Sequence, residues 1–237
     1  MEIIRNKKEQ TMLEEIQDKS VSRRNFLRSA GILGASVAMI GATAGMTGCK
    51  KNDNNTDNGV DLGSGDIGVL NYAYALEQLE AAFYTRVAAT PYSGISASET
   101  AYLTDIRDHE IAHREFFKTA LGANAIGALE VDFSSINFGD RTSVLNTAKA
   151  FEDLGVSAYN GAGRLLTNAT YLLLAGKIVS VEARHAALIR DILTFNSFAA
   201  SDVIDANGLD FARTPSQVLS IAGAYIKTKI NASNLPS

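Results

Sequence analysis

Apolar residues return at steps of three and four along four long stretches of this chain, the spacing that lays them on one face of an α-helix. The first stretch, Asp66 to Ala89, carries Leu70, Tyr74, Ala81, Tyr84 and Ala88. The second runs from about Ser98, which with Glu99 behind it predicts an N-cap, to Leu121, where Gly122 stops it. Its stripe is Tyr102, Ile106 and Phe117. The third, from Thr142 to about Asn168, carries Leu145, Ala148, Val156 and Tyr159. Gly155, Gly161 and Gly163 weaken its helix propensity and point to close packing against a neighbour. The fourth, Ala169 to about Ser197, carries Leu174, Ile178 and Ile189. Thr214-Pro215-Ser216 opens a short fifth helix reaching about Lys229, with proline in its first turn. The connection from Gly122 to Asp140 is long, and its Val131-Asp132-Phe133 and Ile136-Asn137-Phe138 stretches resemble extended segments. Helices two and three therefore need not be antiparallel neighbours, and a crossover along a helical bundle is predicted.

Polar residues interrupt these stripes where an apolar side chain would be the ordinary choice. Glu77 sits in the first, Glu110 and His113 in the second, Glu152 in the third, and Glu182 and His185 in the fourth. A carboxylate on a buried face costs several kcal/mol unless it is paired or bound to metal. Two of the chain's three histidines follow a glutamate by three residues, and on a helix such residues share a face. A carboxylate oxygen and an imidazole nitrogen can then converge on one ion. Glu80 lies near the face of Glu77 and competes with it as the ligand, and His109 lies beside the Glu110 face.

The first 48 residues read as an address. Ser22-Arg23-Arg24-Asn25-Phe26-Leu27 is a twin-arginine signature, followed by an uncharged, glycine-rich run from Ser29 to Gly48. That run ends at Met46-Thr47-Gly48-Cys49, which resembles a lipobox, so residues 1–48 are predicted to be a lipoprotein signal peptide and Cys49, the sole cysteine, the lipidation site. Residues 49–65 are polar until Val60 and predict a disordered tether. The bundle then occupies 66–197, and 198–237 form a C-terminal extension with the short helix.

Without residues 1–48 the chain keeps fifteen basic and twenty-one acidic residues, a net of −6, which excludes nucleic acid as a partner. The absence of Trp and the presence of only three Pro favour helices over a sandwich or propeller. With the cysteine assigned to a lipid, no intrachain disulfide and no thiolate ligand remain.

The two halves repeat each other. Glu77 precedes Tyr84 by seven residues, as Glu152 precedes Tyr159, and each pair is followed by a helix carrying Glu-x-x-His. One glutamate from each of two helices and a Glu-x-x-His from each of the other two is the pattern of the dinuclear carboxylate proteins. The lines Leu76-Glu77-Gln78-Leu79-Glu80-Ala81-Ala82-Phe83-Tyr84, His109-Glu110-Ile111-Ala112-His113, Phe151-Glu152-Asp153-Leu154 and Val181-Glu182-Ala183-Arg184-His185 resemble the ferritin-like superfamily, in particular its bacterial ferritin-like and desiccation-related members.

That resemblance implies an all-α, ferritin-like four-helix bundle with the long crossover between helices 2 and 3 and the short fifth helix at the C-terminus. It implies Glu77 and Glu152 as terminal carboxylates, Glu110 and Glu182 as bridging ones, and His113 and His185 as one nitrogen ligand per ion. Such a ligand set suits two Fe ions, with Mn as the variant. Tyr84, Tyr159, Glu80 and His109 are candidates to touch ligands rather than ions, the tyrosines as core rings whose hydroxyls reach the site. Members with strong oxidase activity often place Asp before each Glu-x-x-His to orient an imidazole, and here His109 and Val181 stand there. The implied activity is oxidation of ferrous iron or reduction of dioxygen or peroxide at the cell envelope, with a manganese catalase-like reaction as a variant. The alternative is a non-catalytic stress or desiccation-related protein whose metal site is vestigial or structural. A membrane tether through Cys49 argues against a 24-subunit shell and is compatible with a homodimer.

Overall fold

The computed structural model describes residues 59–236, so the predicted signal peptide and Cys49 lie outside the described residues. Four long helices form the bundle: α1 (Gly65–Ala89), α2 (Ala97–Leu121), α3 (Arg141–Gly163) and α4 (Ala169–Leu193). A short helix α5 (Pro215–Ala222) packs on α3, and two short strands, β1 (Val60–Asp61) and β2 (Ile230–Asn231), pair in parallel. Among the described residues no helix is long and apolar enough to cross a membrane.

α1 packs along α2, α3 along α4, and α1 meets α3 at the centre. This is the predicted crossover topology. α1 is buried on nearly every side from Gly68 to Tyr84, so its polar residues must find partners inside the protein. Asn71 donates to the carbonyls of Leu62 and Asn124 and accepts from Ile126 N–H, while the Gln78 amide oxygen accepts from Leu129 N–H at 2.9 Å. Two amide side chains thereby bind the long crossover to the central helix. Phe133 and Phe138 of that crossover pack against Phe83, with ring centroids 6.0 and 5.9 Å away. Of the two stretches predicted as extended, only Val131 makes a bridge, to Ile226, with Asp132 N–H donating to the Tyr225 carbonyl, and the remainder is irregular chain with turns at 134–135 and 138–139.

Several boundaries differ from the sequence expectation, each for a local reason. The N-cap of α2 is Ser96 rather than Ser98: its hydroxyl accepts from Glu99 N–H and the Glu99 carboxylate answers from Ser96 N–H, a reciprocal capping box. α3 ends at Gly163, not near Asn168, because the Asp66 carboxylate captures the N–H groups of Thr167 and Asn168 at 2.8 and 2.9 Å. Asn168 then caps α4, accepting from Thr170 N–H. α4 stops at Leu193 and α5 at Ala222, both short of the residues predicted. Tyr102, assigned to the inner stripe of α2, is 41% exposed.

The tether predicted through residue 65 ends by residue 60. Val60 and Leu62 donate to the carbonyls of Lys229 and Asn231, and the Leu62 side chain is fully buried. A distant segment thus supplies the burial that the polar stretch could not supply alone. The close approach predicted for the α3 glycines holds at Gly161, where an added Cβ would stand 1.7 Å from the carbonyl oxygen of Arg213. Arg213 N–H in turn donates to the Ser157 carbonyl, which fixes the C-terminal extension along α3. Arg190 of α4 is 2% exposed and forks onto both Asp153 of α3 and Asp202 of the extension, with four N–H···O contacts of 2.7–2.9 Å.

Candidate metal centre

Each helix contributes to one buried cluster at mid-bundle: Glu77 from α1, Glu110 and His113 from α2, Glu152 from α3, Glu182 and His185 from α4. The four carboxylates are fully buried, and the His113 and His185 side chains are 13% and 5% exposed. The ligand-capable atoms fall into two overlapping groups, Glu77, Glu110, His113 and Glu182 in one and Glu110, Glu152, Glu182 and His185 in the other. Within each group these atoms lie within 4.8 Å of one another. Glu110 and Glu182 belong to both, the position of a bridge between two ions.

The twofold character is quantitative. His113 Nδ1 lies 2.8 Å from Glu182, 3.5 Å from Glu77 and 3.7 Å from Glu110. Its counterpart His185 Nδ1 lies 2.9 Å from Glu110, 3.4 Å from Glu152 and 3.8 Å from Glu182. Each imidazole approaches the glutamate of the other Glu-x-x-His helix more closely than its own, so the two motifs interlock across the bundle.

Both Nδ1 atoms, both oxygens of Glu110 and Glu182, and Oε2 of Glu77 and Glu152 are buried without a hydrogen-bond partner among the described residues. The close contacts of the imidazoles have the distance of a hydrogen bond but not its direction. Eight orphaned donor atoms facing a common centre would be costly in a finished apolar core. They fit a pair of ions, whose charge would satisfy all eight at once.

The other oxygen of each terminal carboxylate is already engaged. Tyr84 donates to Glu152 Oε1 at 2.5 Å, and Tyr159 donates to Glu77 Oε1. Again the pairs cross, α1 to α3 and α3 to α1. Seven residues are two helical turns, so each tyrosine shares a face with its own helix's glutamate while its hydroxyl reaches the opposite one. Burial first, then the charge of Glu152 on Tyr84 and of Glu77 on Tyr159, pushes both phenols well above their ordinary range. Both stay protonated donors, and Oε2 is left free in each glutamate.

Electrostatics define the metal-free state. Two carboxylates no more than 4.8 Å apart repel by about 3.5 kcal/mol or more at an effective dielectric of ~20. Burial, reinforced by the Glu182 charge, raises Glu77 and takes Glu110 well above the ordinary carboxylate range. Burial likewise lifts Glu152 to about 7 against the opposing pull of His185. For Glu182 burial works the same way but the two imidazoles win, bringing it down to about 2. The histidines respond in kind: burial alone would lower them, yet the surrounding glutamates push both up to about 12. Protons thus occupy the positions where the charge of metal ions would otherwise stand.

His109 Nδ1 lies 2.9 Å from His185 Nε2, with the rings inclined by 9° and their centroids 5.1 Å apart. That separation belongs to coplanar rings joined edge to edge by an N–H···N bond, not to stacked faces. Burial, followed by the charges of His185 and His113, lowers His109 and keeps it a neutral acceptor. It takes the place of an orienting acid for His185. No hydrogen bond from a described residue reaches His113 Nε2, and the chain has Val181 where the matching partner would stand.

Glu80 is neither an edge residue nor a member of either group: it is 4% exposed, one turn beyond Glu77. Burial and then the charge of Glu182 hold its carboxyl well above the usual range. Between the two glutamates of α1, it is Glu77 that stands within both the cluster and the tyrosine bond. The sequence contained a sign of the space Glu80 occupies, the glycine at 155, without indicating what would fill it.

Residues 65–194 match the family of the ferritin-like domain, a span that covers all four long helices and every cluster residue. No curated protein matches the chain.

Proposed function

This chain belongs to the ferritin-like domain family, and on that premise we propose that its buried carboxylate and histidine cluster holds two metal ions and oxidises ferrous iron with dioxygen or peroxide. The observation that carries the reading is the set of eight buried oxygen and nitrogen atoms without hydrogen-bond partners, arranged as two overlapping four-residue groups. Two iron ions, or manganese as the variant, would supply adjacent one-electron carriers for the reduction of oxygen.

The remaining tasks fall to the chain. Four carboxylates bring four negative charges, which balance two divalent ions. Glu110 and Glu182 span the two positions, Glu77 and Glu152 close the ends, and the tyrosine hydroxyls restrict each end carboxylate to one free oxygen. Phe117 packs 6.4 Å from Tyr159 and Phe83 packs 5.0 Å from Tyr84, which keeps the flanks apolar and water out. Solvent reaches the cluster most readily at the partly exposed His113.

The same reading places the domain at the cell envelope, exported by the twin-arginine route and anchored through a lipid on Cys49. The support is the sequence of residues 22–49 alone, which lie outside the described residues. Dioxygen or peroxide is the small-molecule partner, and a tethered homodimer suits the anchor better than a closed shell.

The test is metal analysis of purified protein, followed by near-ultraviolet absorbance on adding ferrous iron in air. Wild-type protein takes up two ions and its absorbance grows faster than in buffer alone. Glu152→Ala keeps its helical circular dichroism and loses both the second ion and the accelerated change. Accelerated oxidation that survives in Glu152→Ala refutes the proposal. Metal binding without any oxidation selects the alternative, a stress-related or desiccation-related protein with a structural ion pair.

A further inference from the structure

The halves that carry the cluster are near copies, and the places where they differ are informative. Set in register by glutamate and tyrosine, Leu76-Glu77-Gln78-Leu79-Glu80 of α1 lies against Phe151-Glu152-Asp153-Leu154-Gly155 of α3. Glutamate matches glutamate, leucine matches leucine, and then Glu80 meets a glycine. The spatial relation is as direct as the alignment. A Cβ built on Gly155 would stand 3.1 Å from Glu80 Oε1 and 3.7 Å from Glu182 Oε2. The carboxylate of one half therefore occupies the space that the other half leaves vacant by having no side chain.

The Glu182 oxygen beside that space is the one turned toward His185, since its other oxygen faces His113 at 2.8 Å. Glu80 is 4% exposed and receives no hydrogen bond from any described residue. Its oxygens are not among the sealed, partnerless atoms of the cluster and keep a trace of solvent contact, and a carboxylate so placed, beside a Glu182 oxygen and held by no protein donor, can turn onto an ion. The second break in the repeat falls on the same side. His109 supports His185, whereas Val181 offers His113 nothing. Both departures from equivalence enrich the half built on Glu152 and His185.

We propose that Glu80 is a seventh metal-ligating side chain, reserved for the ion held by Glu152 and His185, and that this half binds its ion more tightly than the half of Glu77 and His113. The proposal rests on the dinuclear metal reading and extends it: the two ions are inequivalent, one resident and one exchangeable. The ligand class is a divalent first-row ion that favours oxygen donors, Mn2+ or Fe2+.

Calorimetric titration of the metal-free protein with Mn2+ tests it. Wild-type protein shows two steps of unequal affinity. Glu80→Gln preserves shape while removing the ligand charge, and it weakens the tighter step by more than the ~10–100-fold that loss of a mere outer partner costs, leaving the looser step in place. Metal-free Glu80→Gln melts no lower than wild type, because no protein donor holds the lost carboxylate. Gly155→Ala, which crowds Glu80 Oε1 without touching its charge, shifts the same step. An unchanged tighter step in Glu80→Gln overturns the proposal, as does equal weakening of both steps together with a lower melting temperature. Should Glu80→Gln fail to fold, Gly155→Ala takes its place, and no change in the tighter step there also overturns the proposal. If wild-type protein binds neither Mn2+ nor Fe2+, the dinuclear reading itself fails and this inference with it. Two bound ions with Glu80→Gln indistinguishable from wild type sink this inference alone.

Discussion

Metal uptake by this domain should release protons, and their number follows from the cluster. In the metal-free protein the carboxylates hold His113 and His185 up to about 12, so both imidazoles are cations at neutral pH. Each must surrender its Nδ1 proton to offer a lone pair. Glu152, lifted by burial to about 7, adds part of a further proton near neutrality. At least two protons therefore leave as two ions enter. Each released proton makes apparent affinity rise about tenfold per pH unit, so the product of the two binding constants climbs at least ~100-fold per unit above neutrality. Isothermal titration in two buffers of different ionisation heat counts the protons directly, because the apparent enthalpy shifts by that number times the difference.

The linkage to stability has a definite sign. A histidine raised from 6.5 toward 12 contributes stability that is complete below 6.5 and is lost as pH rises toward 12. Glu152, raised from 4.5 to about 7, keeps its proton in the folded state through that window and also favours the lower pH. Glu182, brought down to about 2, acts oppositely: its contribution is present above 4.5 and is lost as pH falls toward 2. The metal-free domain should accordingly lose about 1.4 kcal/mol per pH unit per imidazole proton above neutrality. The metal-loaded domain, holding no such protons, should lose far less. Release of fewer than two protons per pair of ions, or an affinity flat across the neutral range, refutes the electrostatic account.

Two further outcomes follow from the surroundings of the cluster. His109→Ala removes the acceptor at His185 Nε2 and should weaken metal binding by ~10–100-fold, with the metal-free melting temperature little changed; equilibrium dialysis against Mn2+ checks it, and unchanged binding would show that His109 orients nothing. Gly161→Ala places a methyl group 1.7 Å from the Arg213 carbonyl oxygen and should cost about 1–3 kcal/mol or more by chemical denaturation, with release of the C-terminal extension along α3.

Much of this protein is legible as spacing. The two Glu-x-x-His motifs and the two Glu-x6-Tyr intervals are local facts about helical faces, and a helix converts them into geometry without help from elsewhere. The convergent six-residue cluster follows from them, the four helices from the apolar stripes, and the crossover from the length of the connection between Gly122 and Asp140. The boundaries that moved share a different cause. α3 gives way before Asn168 because Asp66, a hundred residues earlier, captures the following N–H groups. The segment expected to be a tether is ordered from residue 60 because Ile230 and Asn231 pair with it. No window of the sequence contains both members of either contact.

The inequivalence of the two halves belongs to the same class. Glu80, Gly155, His109 and Val181 are visible as letters, and two of them stand out as departures from a repeated pattern. Only packing shows that Glu80 fills the space at Gly155 and that His109 lies edge to edge with His185. The sequence by itself determined which carboxylates and imidazoles share the inner faces of the four helices, because periodicity is set within each helix. The tertiary structure decided that the two halves of the cluster have different surroundings, because that difference consists of contacts between helices.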